Sequence, residues 1–141
     1  AKDEVAAVSW YRKAAEQGEA LAQNNLGWMF ENGLGVAKDE VAAVNWYRKA
    51  AEQGYAPAQY NLGLKFANGL GVAKDEVAAV SWYRKAAEQG NAQAQTNLGW
   101  MFAHGLGVSK NRAEAINWYR KAAEQGNNDA ISRLKEWGEI W

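Results

Sequence analysis

Residues 37–72 read AKDEVAAVNWYRKAAEQGYAPAQYNLGLKFANGLGV, and nearly the same text starts again at residue 73. Ala1, Ala37, Ala73 and Ser109 open four copies spaced 36 residues apart. Copies one and two agree at 29 of 36 positions, and copies one and three at 31 of 36. A period of this length marks an architecture that stacks one supersecondary unit on the next. One unit cannot bury its apolar face alone, so each neighbour supplies part of the core.

Each copy holds two helical patterns. In residues 39–53, Val41, Val44, Tyr47 and Ala51 recur at helical spacing. Asp39 suits the N-cap, Glu40 suits the positive first turn, and Gly54 suits the left-handed residue that ends a helix. In the fourth copy Asn111 and Glu114 read as a capping box. The second pattern covers 56–68, where Pro57 is tolerated because its missing N–H falls in the first turn. Gly27, Gly63 and Gly99 sit in mid-helix, where Gly costs about 1 kcal/mol relative to Ala. Their recurrence predicts a helix–helix contact with no room for a Cβ. Between the patterns runs a Gly-punctuated loop, 68–74, with Leu70 and Val72 expected beneath the hairpin.

Composition narrows the function classes. The chain has 141 residues, with 16 Lys plus Arg against 16 Asp plus Glu. It therefore lacks the net positive field that nucleic acid or an anionic membrane calls for. No cysteine is present, which removes disulfides, thiolate chemistry and Cys-based zinc sites. No apolar run approaches the ~20 residues of a membrane span. The chain opens Ala1-Lys2-Asp3-Glu4, with no Met and no signal-type apolar region, so no leader is expected in it and the compartment stays unassigned.

Asn-Leu-Gly-x-x-Phe, Asn-Gly-x-Gly-Val-x-x-Asp and Trp-Tyr-x-Lys-Ala-Ala-Glu-x-Gly recur from residue 1 to about 127. These motifs resemble the Sel1-like repeat family, relatives of the tetratricopeptide repeat. The resemblance implies an all-α, right-handed superhelical solenoid of antiparallel helix pairs, about eight helices in one domain. In its terms the Asn-Leu-Gly helix is helix A, lining the concave surface, and the Trp-Tyr helix is helix B. The chain then starts with an unpaired B helix at 3–17, continues with pairs at 20–53, 56–89 and 92–125, and ends in a capping helix at 128–139. Ile131, Leu134 and Trp137 give that last helix an apolar face, and Lys135 stands where the packing Gly would be. The resemblance also implies adaptor or scaffold roles, often bacterial, with a periplasmic or secreted setting among them.

The copies differ chiefly on or just before helix A. Within that helix most differences lie away from Leu26, Gly27 and Phe30, which by resemblance is the concave side. The candidate ligand-binding residues are therefore Leu21, Asn24, Asn25, Trp28, Tyr60, Asn61, Leu64, Lys65, Thr96, Asn97, Trp100 and His104. Trp28, Leu64 and Trp100 would form an apolar strip across three repeats, the composition expected of an interaction patch. Burial of Trp28 and Trp100 between neighbouring A helices is the alternative. Asn25, Asn61 and Asn97 could pair with the backbone of an extended peptide, since each amide offers donor and acceptor; they could equally pin adjacent helices. The unvarying Trp10, Trp46, Trp82 and Trp118 are expected in the core.

Catalytic signals are weak. His104 is the sole histidine and has no Cys or second His for a metal site. Gly33-Leu34-Gly35 lacks the strand and the Gly-Lys-Ser/Thr ending of a phosphate loop. Some cysteine-rich relatives are linked to penicillin binding or β-lactamase activity, but their disulfide framework is missing here. No cofactor is expected. The leading reading is a non-catalytic adaptor binding a protein or extended peptide in the concave groove, without nucleic acid or membrane insertion. The second is a consensus-like or engineered structural array with no ligand. A cell-wall-directed enzyme ranks last, because Glu31 alone lies near the groove as an acid. Val5, Val8 and Tyr11 at one end and Ile140 and Trp141 at the other would support head-to-tail self-association.

Overall fold

The computed structural model describes residues 2–139, all of it helix and short connections with no strand among them. Eight helices follow in order: α1 (Lys2–Glu16), α2 (Ala20–Asn32), α3 (Glu40–Glu52), α4 (Ala56–Asn68), α5 (Glu76–Glu88), α6 (Ala92–His104), α7 (Arg112–Glu124) and α8 (Asn128–Glu136). Each packs on the next in sequence, so the chain is an α-solenoid held by local contacts. Ile140 and Trp141 lie outside the described residues.

Sequence chemistry places the helix ends. Asp39 and Asp75 cap α3 and α5 by accepting from the backbone N–H three residues on, at 3.0 Å. Asn111 does the same for α7 from Glu114 N–H at 3.1 Å. Its own N–H donates to the Phe102 carbonyl, and that bond ties the cap to α6. Gly33, Gly69 and Gly105 close α2, α4 and α6 in the left-handed conformation. Val72 packs against the core as expected, whereas Leu70 stays exposed.

The mid-helix glycines meet the tyrosines of the following helix. A Cβ on Gly63 would stand 2.6 Å from Tyr83 Cδ1, and one on Gly27 would stand 2.8 Å from Tyr47 Cδ1. Gly99 and Tyr119 repeat the arrangement. The tyrosine ring fills the space the missing Cβ leaves, and Leu26, Leu62 and Leu98 are fully buried beside these contacts.

Two further devices join one repeat to the next. Gln53 Nε2 donates to Gly18 O at 2.9 Å and to Gln23 Oε1 at 2.8 Å. Gln23 is buried and its own amide Nε2 donates to Ala15 O at 3.1 Å. Gln89 with Gln59, and Gln125 with Gln95, repeat this relay. The second device is a loop glycine: Gly35, Gly71 and Gly107 lie against the Glu4, Glu40 and Glu76 carbonyls, so close that a Cβ would overlap them. Each loop therefore rests on the start of the preceding odd-numbered helix.

The expectation of four core tryptophans needs correction. Trp118 is 6% exposed, Trp46 and Trp82 are half-buried, and Trp10 is 72% exposed. Trp46 packs against the cluster of Val8, Ala15 and Leu26 in the preceding helices. No described helix precedes α1, so Trp10 has no such surface to cover. Its indole keeps the lysine contact that all four tryptophans share, with Lys13 5.5 Å from the ring centroid against 4.5 Å for Lys121 over Trp118. Val8, expected on an uncovered apolar side of α1, is buried against α2, and Val5 is the exposed one.

The identical tryptophans should therefore differ in their contribution to stability. Trp118→Ala is expected to cost about 3–5 kcal/mol, as for a large buried aromatic. Trp10→Ala should fall within about 1 kcal/mol of wild type, and Trp46→Ala in between. Urea unfolding of the three variants decides it, and equal losses at Trp10 and Trp118 would contradict this packing.

Candidate binding face

Helices α2, α4, α6 and α8 present one face on which the copies diverge. On α2, Leu21 and Trp28 are exposed, Trp28 by 49%, while Asn24 and Asn25 are half-buried. Tyr60, Asn61 and Leu64 on α4 are half-buried, as is Asn97 on α6. His104 is exposed, and Trp100 is 37% exposed. One of these Asn side chains is bonded to a neighbouring repeat: Asn61 Nδ2 donates to Asn24 Oδ1 at 3.0 Å, while Asn97 lies close enough to the Tyr60 and Tyr83 phenols to influence them. At Asn61 the amide thus pins adjacent helices, and its capacity for a ligand backbone is reduced accordingly.

Two candidate residues belong to the interior. Thr96 is buried and its hydroxyl donates to Ala92 O. Lys65 is 5% exposed, its ammonium held between the Glu31 and Glu40 carboxylates. Where Lys65 and Glu31 stand, the other copies carry Met29 and Met101, and Ala67 and Ala103. The two exceptions occur in neighbouring repeats and neutralise one another. Glu31 also accepts from the Tyr47 hydroxyl at 3.4 Å. Burial first, and then the Glu31 charge, push the Tyr47 phenol well above its ordinary value.

Two clefts open beside these residues. One, of about 430 Å³, lies against Leu64, Tyr83, Asn97 and Trp100, with Lys74, Glu76, Asp129 and Arg133 around it. The other, of about 370 Å³, lies against Trp100, His104, Tyr119 and Trp137, with Lys110, Arg112, Arg133 and Glu136 around it. Their linings are the same repeat positions moved on by 36 residues: Leu64 and Trp100, Lys74 and Lys110, Glu76 and Arg112, Asn97 and Arg133. Trp100 belongs to both. Its ring is stacked by His104, with centroids 3.8 Å apart, and the Arg133 guanidinium lies 4.6 Å from it. The equivalent position of the first repeat pair is where Lys65 sits between Glu31 and Glu40.

The motifs, the helix pairs and the glycine–tyrosine contacts agree with one family. The Sel1 repeat matches residues 1–19, 20–55, 56–91 and 92–127. The chain belongs to the Sel1 repeat family. Solved structures carry the same fold. A protective antigen of uropathogenic Escherichia coli displaying an SLR fold is 46% identical, with a TM-score of 0.89 over 92% of this chain and 28% of that one. A Sel1 repeat protein from Oxalobacter formigenes is 49% identical, with a TM-score of 0.81 over 84% of this chain and 49% of that one. This chain therefore spans less than half the length of either. Helicobacter pylori cysteine-rich protein B is 28% identical, with a TM-score of 0.74 over 94% of this chain and 96% of that one. No curated protein matches the sequence significantly.

Sel1 repeat proteins are generally protein-interaction scaffolds. Of the twelve candidate residues, the structure gathers Leu64, Thr96, Asn97, Trp100 and His104 around the clefts and leaves the α2 residues outside them. Sequence reading missed Arg112, Arg133 and Trp137. Their signal was present: Arg112 stands where other copies of this Sel1 repeat have Glu, Arg133 where they have Asn, and Trp137 where they have Met or Lys. These three lie on α7 and on or just after α8, whose sequence departs from the repeat, and not on the A helices of the full copies. Among the described residues no group of three or more His, Asp or Glu is placed to hold a metal ion, and no helix is long and apolar enough to cross a membrane.

The Glu31–Lys65 pair invites a double-mutant cycle. Lys65→Met alone should destabilise, by about 1–2 kcal/mol, because it leaves two carboxylates facing each other beside Tyr47. Adding Glu31→Ala should recover most of that loss, since Ala and Met are what the other copies carry. Additive losses in thermal unfolding would show the two residues to be uncoupled.

Burial also sets an alkaline limit. It pushes the Tyr83 and Tyr119 phenols up to about 12, from an ordinary value near 10. The unfolded chain ionises first, so stability should hold below about pH 10 and fall between about pH 10 and 12. Tyr83→Phe should flatten that fall in urea titrations; an unchanged slope would contradict the assignment.

Proposed function

We propose that this chain is a non-catalytic adaptor that binds a protein or extended peptide along α4, α6 and α8. The observation that carries the reading is that two clefts adjoin on this face and share one accessible indole, Trp100. Their volumes fall in the range of about 300–1,000 Å³ typical of ligand sites. A large aromatic at the centre of a contact patch is the side chain whose loss most often cripples an interface. The Trp28–Leu64–Trp100 strip would extend the surface across three repeats.

A second reading, a structural array without a ligand, draws support from the Glu31–Lys65 pair. There, divergence between copies is absorbed by internal compensation, so variation on these helices does not by itself imply a partner. Trp100 differs from that pair in lining two clefts and in remaining 37% exposed.

Selection from a displayed library of random peptides tests the adaptor reading. Peptides that bind wild type should lose at least about ten-fold in affinity with Trp100→Ala, equivalent to about 1.4 kcal/mol. The variant's melting temperature should stay near that of wild type, unlike that of Trp118→Ala. If no peptide is selected, or if selected peptides ignore Trp100→Ala, the groove reading fails.

A further inference from the structure

The three quasi-equivalent positions along this face carry different charge. At the first, Glu31 and Glu40 hold the Lys65 ammonium, so a cation is already built in. At the third, one repeat after the second, Ala103 stands for the first acid, Arg112 for the second, and Trp137 for the lysine. The charge of the position is thereby inverted. Around this cleft Lys110, Arg112 and Arg133 stand against Glu136 and, beside Arg133, Asp129, which leaves an excess of one positive charge in a chain whose net charge is zero.

The cations are held in a way that suits an anionic guest. Arg112 lies 4.5 Å from the centre of the Trp137 ring, and Arg133 lies 4.6 Å from that of Trp100. A guanidinium resting on an aromatic face keeps its edge N–H groups for a carboxylate, which it can bind in two-pronged fashion. Arg133 has acids nearby, Asp129 at 3.6 Å and Glu136 at 3.9 Å, both longer than a good charge-assisted hydrogen bond. Lys110 and Arg112 are exposed.

Resting on the groove reading above, we infer that the cleft between α6, α7 and α8 selects an acidic peptide segment, placing a carboxylate side chain against Arg112 and its neighbouring residue on Trp100. A polyanionic nucleic acid fits less well. Its closely spaced phosphates would run past Asp129, Glu136 and Glu76, which lie around the same two clefts, and the chain has no long-range positive field to gather it.

The same peptide selection tests this, read for composition and for charge. Selected peptides should be enriched in Asp and Glu, and a synthetic copy should bind more weakly as salt is raised. Arg112→Glu restores the residue the other copies carry, so the fold should be kept. It should weaken the acidic peptide at least about ten-fold, with Arg112→Gln losing less. Peptides that depend on Trp100 but are poor in acids, or that bind Arg112→Glu as well as wild type, would overturn this inference and leave the groove reading standing. Oligothymidylate binding the cleft as tightly as the acidic peptide would overturn the choice of partner. An absence of Trp100-dependent peptides would remove both readings together.

Discussion

The ring of Tyr83 lies where a β-carbon on Gly63 would stand, and the same exchange of a methyl for an aromatic face occurs twice more along the chain. A glycine in the middle of a helix weakens that helix by about 1 kcal/mol. Here the omission lets α4 and α5 approach until the tyrosine ring covers bare backbone, and the buried ring recovers more than the helix loses. Each helix pair is thereby locked at one separation. The Gln relay and the loop glycine that lies on the start of the preceding odd-numbered helix then set the step from one pair to the next. With both spacings fixed by residues that do not vary, the outward positions of α2, α4, α6 and α8 can change without moving the scaffold.

That division explains which parts of the molecule were legible in the sequence. Helix ends, caps and the close approach at Gly27, Gly63 and Gly99 could be read because each is a local rule repeated at a fixed offset. Burial could not be read by copying a residue from one repeat to another. Trp10 and Trp118 have the same sequence neighbours over several positions, yet one is exposed and the other buried. Their difference comes from what packs beside each repeat, which no window of sequence around the tryptophan records. The Gln pairs at 23 and 53, 59 and 89, and 95 and 125 did recur visibly. Their partnership spans 30 residues and needed the third dimension to be seen.

Lys65 carries a related lesson about variation. A charged residue on a divergent helix face resembles a binding residue when its own repeat is considered alone. Considered with the adjacent repeat, it is half of a pair, because Glu31 is equally exceptional and lies one helix away. Thr96 went the same way for a simpler reason: its hydroxyl found the carbonyl one turn back and left solvent. In a repeat protein the useful comparison is thus between a position and the position it touches in the next unit.

Applied along this face, that comparison separates three versions of one repeated geometry. Between the first two A-type helices an acid pair met a lysine, and the space was filled from within. Between α4 and α6 the acid at Glu76 remains while Met101 replaces the lysine, so the position is neither filled nor strongly charged. Between α6 and α8 Arg112 stands at the acid's position and Trp137 at the lysine's, giving cations seated on indole rings around an open cleft. A buried ion pair gains little net stability because desolvation offsets its attraction, so the first outcome is close to neutral for the fold. A cleft with an excess of cations is a different matter. Arg133 has Asp129 and Glu136 beside it, and Arg112 and Arg133 rest on indole rings, contacts that contribute to packing. Lys110 and Arg112 remain exposed beside them, and an anionic guest, as proposed above, would offset the repulsion among the three cations.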